Sequence, residues 1–321
     1  MVEAIVSIRS AVRPYLEECE AGDAFLVAVS GGADSLALAH ALFIEAQPLA
    51  LRPIAITIDH QLQEYSDVQA EKVVRQLKEI GYVEVSIKKV LVSAESNIES
   101  NARDVRYQAL MESAQESKAE KIFLGHTFND QAETVLLGLA RGSGTRSLSG
   151  MSDRNGVFIR PLLSISREET ERACKELGLD YWSDPHNFNS DFTRVRIRRE
   201  VIPYLEENLD NGISGALVRT ASLLREDGQA LDQWSEQMAS ELDLSNIDCD
   251  RLAALPRAIR TRILRLAALH AGATPGTLTF EQIGAMDALV SAWKGQGPLS
   301  LAGGVKVERI SGRLSLSSKP T

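Results

Sequence analysis

Only three cysteines occur in the 321 residues, Cys19, Cys174 and Cys249, far apart and with no CxxC pair. That argues against a disulfide framework and offers no spacing for a zinc or iron–sulfur site. No apolar run approaches the roughly 20 residues that a membrane helix needs. The first residues, MVEAIVSIRSAVRPYLEECE, carry charges throughout and lack a signal-peptide core, so a cytoplasmic protein with no membrane partner is expected. Net positive charge is also lacking. A balance of −9 counts against a nucleic-acid partner unless basic residues gather locally. Here they do gather: Arg194-Val195-Arg196-Ile197-Arg198-Arg199 is a dense run, and Arg257, Arg260, Arg262 and Arg265 form a second cluster. Hydrophobic residues at 44% and charged residues at 25% are ordinary for a soluble globular protein, and the length suggests one large and one smaller domain.

The first half alternates. Phe25–Val29, Pro53–Ile58, Val83–Val90 and Lys121–Leu124 are short stretches rich in β-branched residues and predict strands. Between them Ser35–Ala46, Ser66–Ile80 and Asn97–Lys118 place apolar residues at helical spacing. Such alternation predicts an α/β fold, a doubly wound parallel sheet with helices on both faces, binding its ligand at the carboxyl ends of the strands. From about Asn187 the pattern changes. Residues 205–270 read as successive helices, and the tail GPLSLAGGVKVERISGRLSLSS as short strands with glycine turns. The expected division is a catalytic domain over 1–204 and a smaller, mainly helical domain over 205–321.

The stretch LVAVSGGADSLAL, Leu26 to Leu38, closes a buried strand with residues that have almost no side chain and restarts as an apolar helix. Backbone N–H groups of Ser30, Gly31, Gly32 and Ala33 at a helix N-terminus form a cradle for an anion. Ser30 and Ser35 can bond phosphate oxygens, whereas Asp34 would repel them unless a cation lies between, and Mg²⁺ resolves that conflict. A plain strand-to-helix turn capped by Ser30 or Asp34 is the competing reading. No GKS or GKT follows, so this is not a Walker loop.

The second signal, GHTFNDQAET, follows the strand KIFL directly. With a helix starting near Asn129, Asp130 and Glu133 share one face of its first turn, and His126 lies in the turn before it. Capping by Asn129 and Glu133 is the bland alternative. Arg103 and Arg106, three apart on a predicted helix, suit phosphate or RNA backbone, or equally a solvated pair with Glu99 or Asp104. Among His40, His60, His186 and His270 there is no ligand spacing, and only His60, after the strand PIAITI, is a candidate neighbour of the site.

SGGxDS after a strand resembles the PP-loop ATP pyrophosphatase superfamily. With GHxxxDQxET and the following LARGSG it resembles the tRNA(Ile)-lysidine synthetase family. So do Asn97-x-Glu99-x-x-Ala102-Arg103-x-x-Arg106-Tyr107, Leu148 to Met151, Arg160-Pro161-Leu162-Leu163 and Asp184-Pro185-x-Asn187, with Asp191 and the arginines after it. The likeness is close over about 24–205 and general beyond. One departure stands out: Val195 occupies the place where the family usually has Asn.

The resemblance implies ATP as co-substrate with Mg²⁺ held by Asp34. It further implies activation of the wobble cytidine C2 in a tRNA(Ile) with a CAU anticodon, and attack by L-lysine. Ser30, Gly31, Gly32, Ala33, Asp34 and Ser35 would then hold the nucleotide. Asp34, Arg106, His126, Asp130 and Glu133 would carry the chemistry. Arg103, Asp130, Glu133, Arg194 and Arg198 would bind the substrates, and a homodimer is one arrangement compatible with this picture. Competing readings are another PP-loop adenylating enzyme, thiolase-like or amidating, and a non-catalytic nucleotide- or RNA-binding protein. A thiolase calls for cysteine pairs and a glutamine-dependent synthetase for an amidotransferase nucleophile; neither is seen.

Overall fold

The computed structural model describes residues 3–61, 66–91, 98–142, 144–184 and 189–318. Asn97, Ser143, Pro185, His186 and Asn187 lie outside the described residues, as does the Glu99 side chain. The chain divides into two compact units, Met1–Ser222 and Leu223–Thr321.

The first unit runs α1 (Glu3–Leu16), β1 (Ala24–Ala28), α2 (Ala33–Ala46), β2 (Arg52–Asp59), α3 (Ser66–Ile80), β3 (Glu84–Lys89), α4 (Ile98–Ser117), β4 (Ala119–Leu124) and α5 (Phe128–Ala140). A short helix α6 (Thr145–Leu148), two-residue strands β5 (Arg154–Asn155) and β6 (Phe158–Ile159), and α7 (Arg167–Leu177) follow. The sheet order is β3-β2-β1-β4-β6-β5; all neighbours are parallel except β5 and β6. Every residue of β1 is buried, as a central parallel strand requires. Phe25 and Val27 pack with Leu36 and Leu42 of α2, while Leu26 and Ala28 pack with Ile54, Leu110 and Ile122 on the opposite face. Truncating a fully buried side chain such as Phe25 would cost about 3–5 kcal/mol. On the flank, buried Glu45 of α2 accepts from Arg9 Nε at 2.5 Å and Arg13 Nε at 2.8 Å, pinning α1 to α2.

The chain leaves β1 towards β2 on one side and returns to β4 on the other. The β1–β4 gap is therefore the switch point, where ligands of such sheets sit. Ala28 pairs with Leu124, so the turns after these two strands, 29–32 and 125–127, lie side by side.

After α7 come α8 (Thr193–Arg196), a π-helical turn over Ile197–Val201, α9 (Ile202–Asn208) and the long α10 (Ile213–Ser240), inside which the unit division falls. The second unit adds β7 (Asn246–Asp248), α11 (Cys249–Ala253), α12 (Arg257–His270), α13 (Phe280–Ser291), β8 (Leu299–Leu301), β9 (Val305–Ile310) and β10 (Arg313–Ser318). Its antiparallel sheet, ordered β7-β10-β9-β8, packs Val307 and Leu314 against Ile263, Leu264 and Met286. β8 to β10 come from the glycine-punctuated tail. β7, three residues long, was too short to announce itself.

The α12 arginines do not form the open basic cluster that their spacing suggests. Arg260 is buried and paired with Asp287 at 2.5 Å, and Arg257 reaches the same carboxylate at 3.3 Å. Arg262 pairs with Asp232 at 2.7 Å, and Arg265 donates to the Leu278 carbonyl at 2.9 Å. No described helix is long and apolar enough to cross a membrane.

Candidate active site

The turn after β1 is held from within. Ser35 Oγ donates to the Gly32 carbonyl at 2.9 Å and accepts from the Ser30 N–H at 3.2 Å. Trp182 N–H donates to the Gly31 carbonyl at 2.9 Å, closing the loop from the far side. Gly31 has φ +87, and a Cβ there would lie 2.6 Å from Val73 Cγ2, so both conformation and space demand glycine. Gly32 differs. Its φ is −74, and a Cβ would meet only Ser30 Oγ at 3.8 Å and the Trp182 carbonyl at 3.9 Å. Its N–H and those of the first turn of α2 have no intrahelical partner, and Gly32 lines the cavity, leaving that surface open to an anion.

The turn after β4 comes close to this loop: a Cβ at Gly125 would sit 3.2 Å from the Asp34 backbone carbon and oxygen. Thr127 precedes α5, and Asp130 Oδ2 accepts from its N–H at 2.9 Å and its hydroxyl at 3.1 Å. Gln131 is structural, clasping the Met151 N–H and carbonyl at 2.7 Å each. Glu133, one turn further, is fully buried.

Two arginines meet these carboxylates. Arg167, at the start of α7, reaches Asp34 Oδ2 with Nε at 3.4 Å, Asp130 Oδ1 with Nη2 at 3.1 Å and Glu133 Oε1 with Nη1 at 3.9 Å. Arg198, in the π-helical turn, grips Glu133 through Nε at 2.5 Å and Nη2 at 3.0 Å, and touches Asp130 at 3.3 Å. Thr170 donates its hydroxyl to Asp34 Oδ1. Asp34, Asp130 and Glu133 thus form one cluster, and Asp130 and Glu133 already carry cationic partners. Burial raises the Asp34 and Glu133 carboxyls, opposed by Arg167 and Thr170 at the first and by Arg198 at the second. Burial pushes Asp130 upward too, but Arg167, His126, the Thr127 N–H and Arg198 outweigh it, leaving Asp130 below the ordinary range. His126 is pulled down to about 3, chiefly by burial and then by Arg106, Arg160 and Arg103, against the pull of Asp130. At neutral pH it is uncharged, and its buried Nδ1 has no hydrogen-bond partner among the described residues.

A cavity of about 500 Å³ joins the two loops, lined by Ser30, Gly32, Asp34, His126, Asp130 and Arg198 among others. Arg106, Arg194 and Arg199 line it too. Two smaller cavities share its walls. One of about 200 Å³ lies at the end of β2, against Asp59, His60, Gln61 and Trp182. The other, about 240 Å³, is bounded by Arg103, Arg106, Arg194, His60 and His126, with no carboxylate among the described residues of its lining. Among the described residues its arginines meet no acid: Arg194 bonds the Thr134 hydroxyl at 3.3 Å, and Arg103 lies 5.3 Å over the Tyr107 ring.

Ser30, Gly32, Ala33, Asp34, Ser35, His126 and Asp130 therefore line one cleft, whereas Glu133 is buried behind it. The basic run 194–199 divides instead of forming a single face. Arg194 and Arg199 line the cleft, Arg198 enters the acid cluster, and Arg196 is spent on the Ser190 and Asp191 carbonyls. Val195, where an Asn is usual, is buried. Arg167 and Thr170 were missed. Ser166-x-x-Glu169 is a legible capping box, and it forms here, so the helix start could have been read; nothing local says that its first side chain reaches Asp34.

Among the described residues, no group of three His, Cys, Asp or Glu could hold a metal by itself. A hard-oxygen donor such as Asp34 beside a phosphate cradle does fit Mg²⁺, which commonly takes one or two carboxylates and completes its shell with phosphate oxygens and water.

Comparison with known proteins first defines the class. The PP-loop domain family matches residues 6–205, more than half of the chain, and the TilS substrate binding domain matches 247–315. A solved U34-tRNA thiolase from Methanococcus maripaludis, 22% identical, covers 69% of this chain and 80% of its own with a TM-score of 0.58, a likeness of fold. The chain is thus a PP-loop protein. Two relatives narrow the assignment: tRNA(Ile)-lysidine synthase of Thermobifida fusca, 45% identical over 98% of both chains, and that of Streptomyces coelicolor, 48% identical over 90% of this chain and 84% of the relative. The chain belongs to the tRNA(Ile)-lysidine synthase family.

Proposed function

We propose that this cleft activates the wobble cytidine of a CAU-anticodon tRNA(Ile) with ATP and then joins L-lysine to it. As a member of its family the chain is an ATP-dependent ligase that modifies tRNA(Ile). The observation that carries the reading of the site is the meeting of the 30–35 cradle and Asp130 in one cavity, with the buried Glu133 behind it on the same two arginines. The β- and γ-phosphates lie along the N–H groups of residues 30–35, and the nucleoside extends into the cavity at the end of β2. Asp34 would hold Mg²⁺, which would supply neutralisation of the charge that builds on the leaving phosphates. The cytidine O2 attacks the α-phosphorus and pyrophosphate leaves; Arg106 and Arg194 face the same space and suit the charge on the phosphoryl oxygens. Neutral His126 can orient an oxygen there without adding charge.

In the second step the lysine side-chain amine attacks C2, loses a proton, and AMP departs. Asp130 and Glu133 attract the incoming ammonium group, and Glu133, whose carboxyl is raised by burial, is suited to accept the proton. Arg103 and Arg194, which line the 240 Å³ pocket, suit an RNA phosphate. Incubation with ATP, labelled lysine and bulk tRNA tests this reading. Label should enter a single tRNA species with one AMP and one pyrophosphate released per lysine. Pyrophosphate release without lysine incorporation would overturn it.

A further inference from the structure

Asp34 belongs to the 30–35 loop, yet its carboxylate faces the Arg167 guanidinium at 3.4 Å. Resting on the reading of Asp34 as the Mg²⁺ ligand, we infer that Arg167 is a placeholder cation: it neutralises Asp34 while the cleft is empty and yields that oxygen when a divalent cation arrives with the nucleotide.

Four features support a side chain built to let go at one end. First, the contact with Asp34 at 3.4 Å is looser than that with Asp130 at 3.1 Å, so departure from Asp34 leaves the stronger anchor intact. Second, the backbone of Arg167 is fixed, its N–H donating to Asn129 Oδ1 at 2.9 Å and the preceding Ser166 capping α7. Only the side chain needs to move. Third, Asp34 does not depend on Arg167 for its orientation, because Thr170 holds Oδ1 and leaves Oδ2 as the exchangeable position. Fourth, the charges require a partner. The contacting set is Asp34, Asp130 and Glu133 against Arg167 and Arg198, one negative charge in excess, with His126 neutral. Without Arg167 the excess is two, next to a loop that must receive a polyanion. A buried carboxylate without a partner is costly, and Arg167 removes that cost in the empty enzyme. Arg167 thereby acts as a positioning residue: it keeps metal off Asp34 until phosphate oxygens are present to complete the coordination shell.

The test is Mn²⁺ binding by the full chain, followed by electron paramagnetic resonance, with and without a non-hydrolysable ATP analogue. Wild type should bind Mn²⁺ weakly alone and at least tenfold tighter with the nucleotide. Arg167→Met should bind Mn²⁺ about tenfold tighter than wild type in the absence of nucleotide, and Arg167→Met/Asp34→Asn should return to the wild-type value. An unchanged nucleotide-free affinity in folded Arg167→Met would overturn the inference and leave Arg167 a structural strap. If wild type gains no Mn²⁺ affinity from the nucleotide, the metal assignment of Asp34 fails, and the placeholder role falls with it. Should the variant not fold, a crystal structure of wild type with Mn²⁺ and the analogue decides. Arg167 should then contact Asp130 but not Asp34; a guanidinium still on Asp34, with the metal bound elsewhere, would refute the idea.

Discussion

Arg257, Arg260, Arg262 and Arg265 on α12, and Arg194, Arg196, Arg198 and Arg199 after α7, are each a run of four closely spaced arginines, yet they serve different ends. On α12 each guanidinium has a partner within its own unit: Asp287 for two of them, Asp232 for the third and a backbone carbonyl for the fourth. Around the cleft, Arg194 donates to a threonine hydroxyl at 3.3 Å, and neither it nor Arg106 forms an ion pair among the described residues. What distinguishes them is the supply of acids on the facing element. Asp287 of α13 and Asp232 of α10 neutralise α12, whereas no acid lines the 240 Å³ pocket among the described residues. Arginine density therefore marks an anion site only where the fold withholds the counter-charge.

The largest effect should come from the one cleft carboxylate placed beside phosphate. Asp34→Asn should lower tRNA-dependent pyrophosphate release on the order of a thousandfold, measured on protein whose fold is checked by circular dichroism. Next, breaking the buried Arg260–Asp287 pair leaves Asp287 with only the exposed Arg257 at 3.3 Å. Arg260→Met should destabilise the second unit by about 3–5 kcal/mol in denaturant titrations, and adding Asp287→Leu should recover most of it. If Arg260→Met is neutral, the two arginine sets are less different than the contacts indicate.

Glu133→Gln separates the chemical steps. It should retain pyrophosphate release and lower kcat/KM for lysine by roughly 10- to 100-fold, the value of a charge-assisted hydrogen bond; unchanged lysine kinetics would remove Glu133 from the substrate site. A smaller effect is expected from Arg194→Gln, which should weaken tRNA binding a few-fold and reduce the salt slope by about one phosphate contact. Arg262→Gln should leave both unaltered, and equal effects from the two would erase the comparison.

The smallest is a pH effect. His126, pulled down to about 3 in the fold, takes up its proton more readily when unfolded, near pH 6.5. Stability should therefore be unaffected above that value and fall as pH drops below it, by about 1 kcal/mol between 6.5 and 5.5. His126→Asn should flatten that slope in thermal melts.

Much of the site was legible because it is local. The cradle at 30–35 and the first turn of α5 each lie within one strand–turn–helix unit, where glycines, a cap and a carboxylate spacing record the backbone they need. α3 fell on Ser66–Ile80 as read, since its apolar stripe repeats every three to four residues. The two-residue strands β5 and β6 carry no period to detect, and Arg167, at the first position of α7, looks like an ordinary capped-helix residue. Arg198 is similar: in sequence it belongs to a basic run, and only the π-helical turn over Ile197–Val201 sets it against Glu133.

By itself the sequence determined the alternation of strands and helices, and with it the parallel sheet. It also determined the two loops at the sheet's carboxyl edge and the family to which the chain belongs, because backbone conformation and amphipathic period are dictated by neighbours along the chain. Tertiary structure alone decided which arginine meets which carboxylate. Charges separated by 37 residues, as Arg167 and Asp130 are, or by 133, as Arg167 and Asp34 are, interact only once the sheet has set β1 beside β4 and α7 across their ends. Coulomb energy depends on distance and burial in space, and neither is recorded in the order of the residues.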